Sequence, residues 1–269
     1  MGITEGNYQK MTGPRKAWIV APLLACLLVV GGKNLCASGA KNLADDPKGK
    51  AQGLTLSLES MDGLEVQGIN DESTEPVKFD AAVASYRGRR AVRIVNIERP
   101  ETKTGEQVLA IVKGSDFKDG TIEADVAGAP RPGAKPSTRG FVGIAFRVRD
   151  QVQDHGSRYE AFYLRMTNGR ADDQLQRNHS VQYVSQPDFP WQRLRDENPG
   201  MYESYVDLEA GAWTRIKIVV SGTKAKLYVN NAGQPCLIVN DLKLGEIHGP
   251  VALWTGSDTE AYFSNLKVH

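Results

Sequence analysis

The amino-acid sequence predicts an all-β protein, a sandwich of two antiparallel sheets. Two observations lead to this prediction. Apolar and polar residues alternate in one short segment after another, and Gly, Pro, Asn and Asp residues separate these segments. Such alternation is typical of strands, because successive side chains point to opposite sides of a sheet. We expect one domain over residues 54–269, a length that sandwiches of this kind commonly reach.

Four segments between residues 117 and 230 show the alternation most clearly. They are TIEADV, FVGIAFRV, YEAFYLRM and the composite TRIKIVV with AKLYV. In YEAFYLRM we expect Phe162, Leu164 and Met166 to face the core, and Tyr163 and Arg165 to lie on the opposite face. Each of these strands therefore has one apolar side and one side of polar, charged and aromatic residues, which we call the decorated face.

Weaker alternation continues on the N-terminal side of these segments. The segments are LTLSLESM, GLEVQG, AVASY, AVRIVNIE and VLAIVKG. We expect them to pair with the C-terminal strands. The Asp-Gly pair at 119–120 and the Asn-Gly pair at 168–169 mark turns, because these residues tolerate the backbone angles that tight turns require.

The stretch 170–206 is far longer than an ordinary connection between strands. Connections longer than about a dozen residues are usually either functional or disordered. This one contains Phe189, Trp191, Tyr202 and Tyr205, and aromatic side chains cover large areas when they pack. We therefore predict an ordered loop that folds over one sheet.

Five segments together resemble a known superfamily in their order along the chain. FKDGTIEADV, RGFVGIAFRV, RYEAFYLR, WTRIKIVVSGTKAKLYVN and GPVALWTGSDTEAYFSNLKV resemble successive strands of the concanavalin A-like lectin/glucanase superfamily. Within it, the chain is similar to laminin G-like domains and to bacterial 3-keto-disaccharide hydrolases. The resemblance covers residues 54–268 and implies a jelly-roll sandwich. It rests on strand order without a catalytic motif, so it leaves open whether a glycan is bound or cleaved.

The first residues have the features of an export signal. Arg15 and Lys16 precede the apolar run AWIVAPLLACLLVVGG, and small residues follow at 36–40. We predict a signal peptide over residues 1–40, a tether over 41–53, and a secreted or periplasmic protein. An uncleaved anchor is the alternative. A lipoprotein is less favoured, because apolar residues follow Cys26.

The net charge limits the classes of partner to expect, and the cysteine positions indicate the role of Cys236. A net charge of +1 gives no reason to expect nucleic acid as a partner, or a membrane surface beyond the leader. Cys26 and Cys36 lie in the predicted leader, so Cys236 stands alone in the domain. We expect Cys236 to be a small buried side chain rather than a nucleophile.

Arginine is concentrated in one part of the sequence. Residues 139–205 contain nine arginines and no lysine, whereas the residues after 205 contain five lysines and one arginine. Arginine is the residue of choice where planar, two-pronged contacts or stacking on rings matter. The same region contains nine Asp and Glu residues. Two interpretations stay open: these arginines pair with carboxylates to hold the 170–206 stretch in place, or some of them face a ligand.

The predicted ligand site is the decorated face of the sheet together with the 170–206 stretch. Rings can stack on the apolar side of a sugar while arginine and amide groups bind its hydroxyls, a mixture typical of small-molecule sites. A carbohydrate or glycoside is the expected partner. The predicted ligand-binding residues are Arg147, Tyr163, Arg165, Arg177, His179, Tyr183 and Trp191.

The sequence leaves catalysis open. If the protein cleaves a glycoside, as the resemblance to 3-keto-disaccharide hydrolases implies, Glu160, Asp172, Asp173 and His179 are the candidate acid and base groups. The other alternative is a non-catalytic adhesion or interaction module. No cofactor is predicted except an optional Ca²⁺ at Asp258 and Glu260, for which no Asp-rich spacing motif is present.

One enzyme class is disfavoured. Laminarinase-type hydrolases of this superfamily place alternating carboxylates on one strand as Glu-x-Asp-x-x-Glu, and retaining chemistry needs two of them about 5–5.5 Å apart. The corresponding segment, YEAFYLR, has no face with two carboxylates. Glu123 and Asp125 form the only local Glu-x-Asp, and we interpret them as polar surface residues of a strand.

Overall fold

The structure is a computed structural model that describes residues 53–70, 75–97, 105–149 and 157–269. The predicted signal peptide and nearly all of the predicted tether lie outside these residues. No helix within the described part of the chain is long and apolar enough to cross a membrane.

The described residues form fifteen strands and two short helices. In chain order they are β1 (Leu54–Leu56), β2 (Leu64–Asn70), β3 (Lys78–Tyr86), β4 (Arg89–Ile97), β5 (Glu106–Val112), β6 (Gly120–Pro130), β7 (Phe141–Arg149), β8 (Arg158–Arg165), α1 (Gln174–Asn178), β9 (Val181–Gln186), α2 (Trp191–Glu197), β10 (Glu203–Ser204), β11 (Thr214–Ser221), β12 (Lys224–Val229), β13 (Leu237–Val239), β14 (Ala252–Thr255) and β15 (Thr259–Val268).

The strands build two antiparallel sheets, which confirms the predicted sandwich. Sheet A has the order β13-β12-β11-β6-β15-β4-β3, and β1 also pairs with β15. Sheet B has the order β10-β9-β8-β7-β14-β5-β2. The expected pairing of N-terminal with C-terminal strands is present, since β1 and β4 pair with β15 and β5 pairs with β14.

The hydrophobic core lies between the sheets and follows the alternation in the sequence. Phe162 of β8 is buried, and its ring packs on that of Phe146 with centroids 6.2 Å apart. Val142 lies so close to Gly128 of sheet A that a Cβ atom at position 128 would be 2.8 Å from a Val142 methyl group. The inner face of sheet B therefore has Val142, Phe146 and Phe162. Tyr163 and Arg165 lie on its outer face, as predicted.

The stretch 170–206 is not a loop, and this part of the prediction is wrong. It contains α1, β9, α2 and β10, and β9 pairs with β8 as an additional strand of sheet B. The segment VQYVSQ does alternate, but Val184 lies among the polar residues of one face and Ser185 among the apolar residues of the other. Neither face is purely apolar, so the period of two is masked in the sequence.

Candidate functional site

An open cleft of about 1140 Å³ lies on the outer face of sheet B. Side chains of β5, β7, β8 and β14 form its floor. One wall includes residues of the β6–β7 connection, and another comes from the stretch that contains α1 and α2. The side chains that line the cleft include Gln107, Arg139, Phe141, Tyr163, Arg165, His179, Gln186, Trp191, Arg195 and Trp254.

Strand register places an aromatic pair in the floor. Trp254 of β14 and Tyr163 of β8 both lie opposite Gly143 of β7. Because Gly143 has no side chain, the two rings stack across it with centroids 4.6 Å apart and planes inclined by 20°. A Cβ atom at position 143 would be 2.7 Å from the Tyr163 Cβ. Phe141 meets the Tyr163 ring edge-on at 6.1 Å.

Hydrogen bonds fix the orientation of the floor. The Trp254 indole Nε1 donates to Gln107 Oε1 at 3.1 Å and to the Tyr159 hydroxyl at 3.2 Å. At the β9 side of the cleft, Gln186 is 8 % exposed and its Oε1 accepts no hydrogen bond from the described residues. The Trp254 ring of the floor is thus held in one orientation by two hydrogen bonds.

Arg165 is buried in the wall next to this floor. It is 6 % exposed. Its guanidinium donates to the His179 carbonyl at 3.1 Å, to Gln182 Oε1 at 3.2 Å and to the Tyr163 hydroxyl at 3.1 Å. All three acceptors are uncharged, and burial lowers the pKa of Arg165 below its ordinary value.

Glu203 of β10 connects the wall residues. Arg195 donates from Nε to Glu203 Oε1 at 3.0 Å and from Nη2 to Oε2 at 2.6 Å. His179 Nδ1 lies 2.8 Å from Glu203 Oε2, without the alignment of a hydrogen bond, and Arg165 Nη1 lies 3.9 Å away. Burial first, with the nearby arginines, lowers the pKa of His179, although Glu203 opposes the shift. His179 is therefore mainly neutral at neutral pH.

Trp191 of α2 lies between two of these arginines. The guanidinium carbon of Arg195 is 4.6 Å from the indole centroid, and that of Arg165 is 5.6 Å from it. Cation–π contacts of this kind hold the guanidinium planes in place. Four of the predicted ligand-binding residues, Tyr163, Arg165, His179 and Trp191, thus meet at the cleft.

Arg147 does not reach the cleft, which corrects the prediction. A β-bulge in β7 gives Arg147 a positive φ of 55° and turns its side chain away from the decorated face. The guanidinium is fully buried and donates to the carbonyl oxygens of Lys118, Gly222 and Gly245 at 2.6 to 3.1 Å. Arg147 therefore connects the segments that contain Lys118, Gly222 and Gly245, and its side chain is not part of the cleft floor.

Tyr183 also lies elsewhere than predicted, on the inner face of sheet B, where it meets Glu160. The Tyr183 hydroxyl donates to Glu160 Oε2, and the Leu244 amide donates to Glu160 Oε1 at 2.7 Å. Burial raises the pKa of Glu160 from 4.5 to about 6 and, with the Glu160 charge, raises that of Tyr183 well above 10. Both side chains are enclosed between the sheets, where a ligand in the cleft does not touch them.

The remaining predicted residues do not contribute to the floor of the cleft. Arg177 of α1 donates to the Tyr205 hydroxyl at 2.8 Å and is not among the cleft residues. Asp172 is exposed and is also not among them. Asp173 lines the cleft, but its carboxylate caps α1 by accepting the Gln176 amide at 2.6 Å.

The residues predicted for calcium are each bound by an arginine. Arg131 lies 2.8 Å from Asp258, and Arg93 lies 2.7 Å from Glu260. No group of three or more His, Cys, Asp or Glu residues suited to a metal ion is present in the described ranges. Cys236 is partly buried, and burial raises the pKa of its thiol to about 11, as expected for a packed and unreactive side chain.

Several residues of the cleft were missed by sequence reasoning. Trp254 lies in a predicted strand, GPVALWTG, but Leu253 and Trp254 are both large and apolar, so the pattern does not tell which of them lies on the outer face. Arg195 and Glu203 have no local feature that identifies them. Their contact depends on how α2 and β10 return to the sheet, which the sequence pattern does not reveal.

Comparison with known proteins supports the fold. No protein-family model matches the sequence, and no curated protein matches it. The chain is similar to a solved Bacillus subtilis protein of unknown function with a galectin-like fold, at a TM-score of 0.50 and 10% identity over 80% of this chain and 94% of that one. It is also similar to the carbohydrate-binding module CBM66 from Bacillus subtilis (TM-score 0.44, 13% identity, 71% and 95% covered). A Bacillus licheniformis β-glucanase gives a TM-score of 0.44 at 13% identity, with 80% and 97% covered.

At such low identities these similarities concern the fold alone. The architecture is a two-sheet antiparallel β-sandwich of the jelly-roll type, as predicted, and the galectin-like fold of the Bacillus subtilis protein is similar to it. The narrower resemblances, to laminin G-like domains and to 3-keto-disaccharide hydrolases, stay predictions.

Proposed function

We propose that this protein binds a carbohydrate in the cleft on the outer face of sheet B. The observation that supports the proposal most directly is the floor, in which Tyr163 and Trp254 stack across Gly143 and polar groups border the rings. A sugar has apolar ring faces and a rim of hydroxyls. A site with a few fixed rings and convergent polar groups matches both features.

The size of the cleft indicates the size of the ligand. Sites for drug-sized molecules commonly have volumes of about 300–1,000 Å³. The cleft, at about 1140 Å³, lies just above that range and is open to solvent. It has room for an oligosaccharide of several units rather than a single monosaccharide.

Trp191 provides the first test. Trp191 is half-buried, lines the cleft and is a ring that a sugar is able to contact, so Trp191→Ala should weaken glycan binding by about tenfold, or 1.4 kcal/mol. Tyr205→Ala is the matched control, because Tyr205 is an exposed ring of the same stretch that stacks on Arg177 away from the cleft. Binding would be measured on an array of oligosaccharides and then by calorimetry. An array on which no glycan binds wild-type protein would refute the proposal.

Cleavage of the bound glycan is the second candidate function, and one contact favours it. His179 lines the cleft, is mainly neutral, and has Nδ1 within 2.8 Å of the buried Glu203 carboxylate. A neutral imidazole beside a carboxylate is suited to act as a general base, a role that contributes typically about 10²–10⁴-fold to a rate.

Mass spectrometry separates the two functions. The protein would be incubated with oligosaccharides and with 3-keto-glycosides, and the products would be identified. Cleavage that is lost in His179→Gln while glycan binding persists supports catalysis. Binding without any product leaves recognition as the function of the cleft.

Export is part of the proposal and rests on the N-terminal sequence. The basic residues, apolar run and small residues of positions 15–40 occur in the order that signal peptidases require. Intact-mass measurement of protein made in a bacterium with a secretory system should show that the leader is removed. A mature chain that begins at or before residue 16 contradicts the prediction.

A further inference from the structure

Three arginines from different elements line the cleft. Arg165 ends β8, Arg195 lies on α2, and Arg139 belongs to the β6–β7 connection. In the pairing of β7 with β8, Phe141 lies opposite Arg165. Arg139 is two residues further along, where its carbonyl accepts the Thr167 amide at 3.1 Å. We call Arg139, Arg165 and Arg195 the arginine cluster.

Glu203 is the one acidic side chain that contacts this cluster within the described residues. It binds Arg195 directly and lies 3.9 Å from Arg165, beyond hydrogen-bond distance. Arg139 donates to the Pro136 carbonyl at 3.2 Å and forms no ion pair within the described ranges. Three positive charges thus face one negative charge, and the neighbouring His179 is mainly neutral.

Within the described residues, none of the other charged side chains of the cleft contacts the arginine cluster. Arg193 pairs with Glu197 on α2 at 2.8 Å. Lys135 and Glu106 line the cleft from the β6–β7 connection and β5 with opposite charges. Two acidic residues are left. Asp173 caps α1, and Asp196 is exposed, where solvent and salt weaken its field.

The excess charge is unfavourable without a further anion. A buried charge is costly unless it is paired, and Arg165 donates its hydrogen bonds to three neutral oxygens. Burial lowers the pKa of Arg165, and like-charge repulsion from Arg195 and Arg139 adds to the effect. An anionic group that enters the cleft beside these residues would relieve the repulsion and gain charge-assisted hydrogen bonds.

The geometry points to a sugar that has a carboxylate group, as a uronic acid does, as the ligand of this cleft. This inference rests on the proposed carbohydrate function. The planar guanidinium fork matches a carboxylate with two parallel hydrogen bonds. Within the described residues Arg139 donates only to the Pro136 carbonyl, so its fork is able to receive the carboxylate. Arg165 and Arg195 already use their donors on neutral oxygens and on Glu203, so they contribute mainly their charge.

Matched pairs of glycans test the charge separately from the sugar. The array would contain uronate oligosaccharides, the same oligosaccharides with their carboxylates reduced to alcohols, and sulfated and desulfated counterparts. We expect a uronate member to bind at least about tenfold more tightly than its carboxyl-reduced form, with an affinity that falls as salt rises from 50 to 500 mM, a range chosen because added salt screens charge pairs.

The possible outcomes are distinct. Equal binding of uronate and carboxyl-reduced glycans, or binding of neutral glycans alone, overturns the charge inference and leaves carbohydrate binding intact. Binding that is restricted to sulfated glycans also overturns the carboxylate assignment. If no glycan binds, the proposed function fails and the charge inference fails with it.

Arginine variants then test whether the arginine cluster causes the preference for the uronate form. Arg139 is half-exposed, so Arg139→Gln should fold normally and reduce the preference for the uronate form over its carboxyl-reduced form by about tenfold. Arg177→Gln is the matched control, because Arg177 lies outside the cleft on α1 and contacts Tyr205. If Arg139→Gln behaves like Arg177→Gln, the arginine cluster does not bind the anion.

Discussion

The two faces of sheet B contain the same kinds of residue and use them differently. The inner face has Phe162, Tyr183 and Glu160, and the outer face has Tyr163 and Arg165, so each face presents rings and a charged group. On the inner face Glu160 is bound by Tyr183 and by the Leu244 amide between the sheets. On the outer face the rings border an open cleft. Residue type therefore does not distinguish a core from a binding face, whereas the surroundings of each polar group do.

Truncation of the inner aromatic core should have the largest effect on stability. Phe162 is 1 % exposed and packs on the rings of Phe146 and Tyr183. Phe162→Ala removes these contacts and leaves a cavity, which should lower the free energy of unfolding by roughly 3–5 kcal/mol. Urea denaturation measures the change. A loss no greater than that of Arg165→Ala would mean that the two faces are assigned the wrong way round.

Arg147 should be the next most damaging position, although it is charged. Arg147→Met keeps much of the volume but leaves the carbonyls of Lys118, Gly222 and Gly245 without their donor, so we expect a loss of about 3 kcal/mol. Arg149→Met, on the same strand but exposed, is the control and should change stability little. Equal stability of the two variants in urea would contradict a structural role for Arg147.

The buried Glu160 should make stability depend on pH. Its pKa in the folded protein is raised from 4.5 to about 6, so the folded state binds the proton more tightly than the unfolded state does. The resulting stabilisation is present in full below pH 4.5 and is lost as the pH rises through 6. A shift of this size corresponds to about 2 kcal/mol.

Glu160→Gln should abolish that dependence, because the amide does not titrate. Denaturation at pH 4.5 and pH 7 would be compared for wild-type protein, Glu160→Gln and the exposed Glu197→Gln. If Glu160→Gln retains the wild-type difference between the two pH values, the titrating group is not Glu160.

Arg165 on the outer face should have the smallest effect on stability and a clear effect on binding. Arg165→Ala loses three hydrogen bonds to neutral acceptors but also removes a charge that is costly to bury, so the net loss should be about 1 kcal/mol. Glycan affinity should fall by at least about tenfold. Arg170→Ala, an exposed arginine paired with Asp207 and Glu209, should leave affinity unchanged. A stability loss in Arg165→Ala with unchanged affinity would assign Arg165 to the scaffold.

Local pattern in the sequence was sufficient for the sandwich and for the faces of its clearest strands. The period of two in YEAFYLR separates Phe162 from Tyr163 whatever the rest of the chain does, because a strand alternates its side chains by backbone geometry alone. The position of Tyr163 and Arg165 on the outer face followed from this rule. The same rule failed for Arg147, because a single extra residue in a β-bulge reverses the face of a side chain.

Other features depended on contacts between residues far apart in the chain, and only the tertiary structure decided them. Strand register brought Trp254 over Tyr163 across Gly143, and the return of β10 to β9 brought Glu203 to Arg195 and His179. Alternation determines the side of a sheet on which a residue lies, but not the residue that lies beside it. The cleft and its charge follow from such neighbours, so they became visible only in the folded chain.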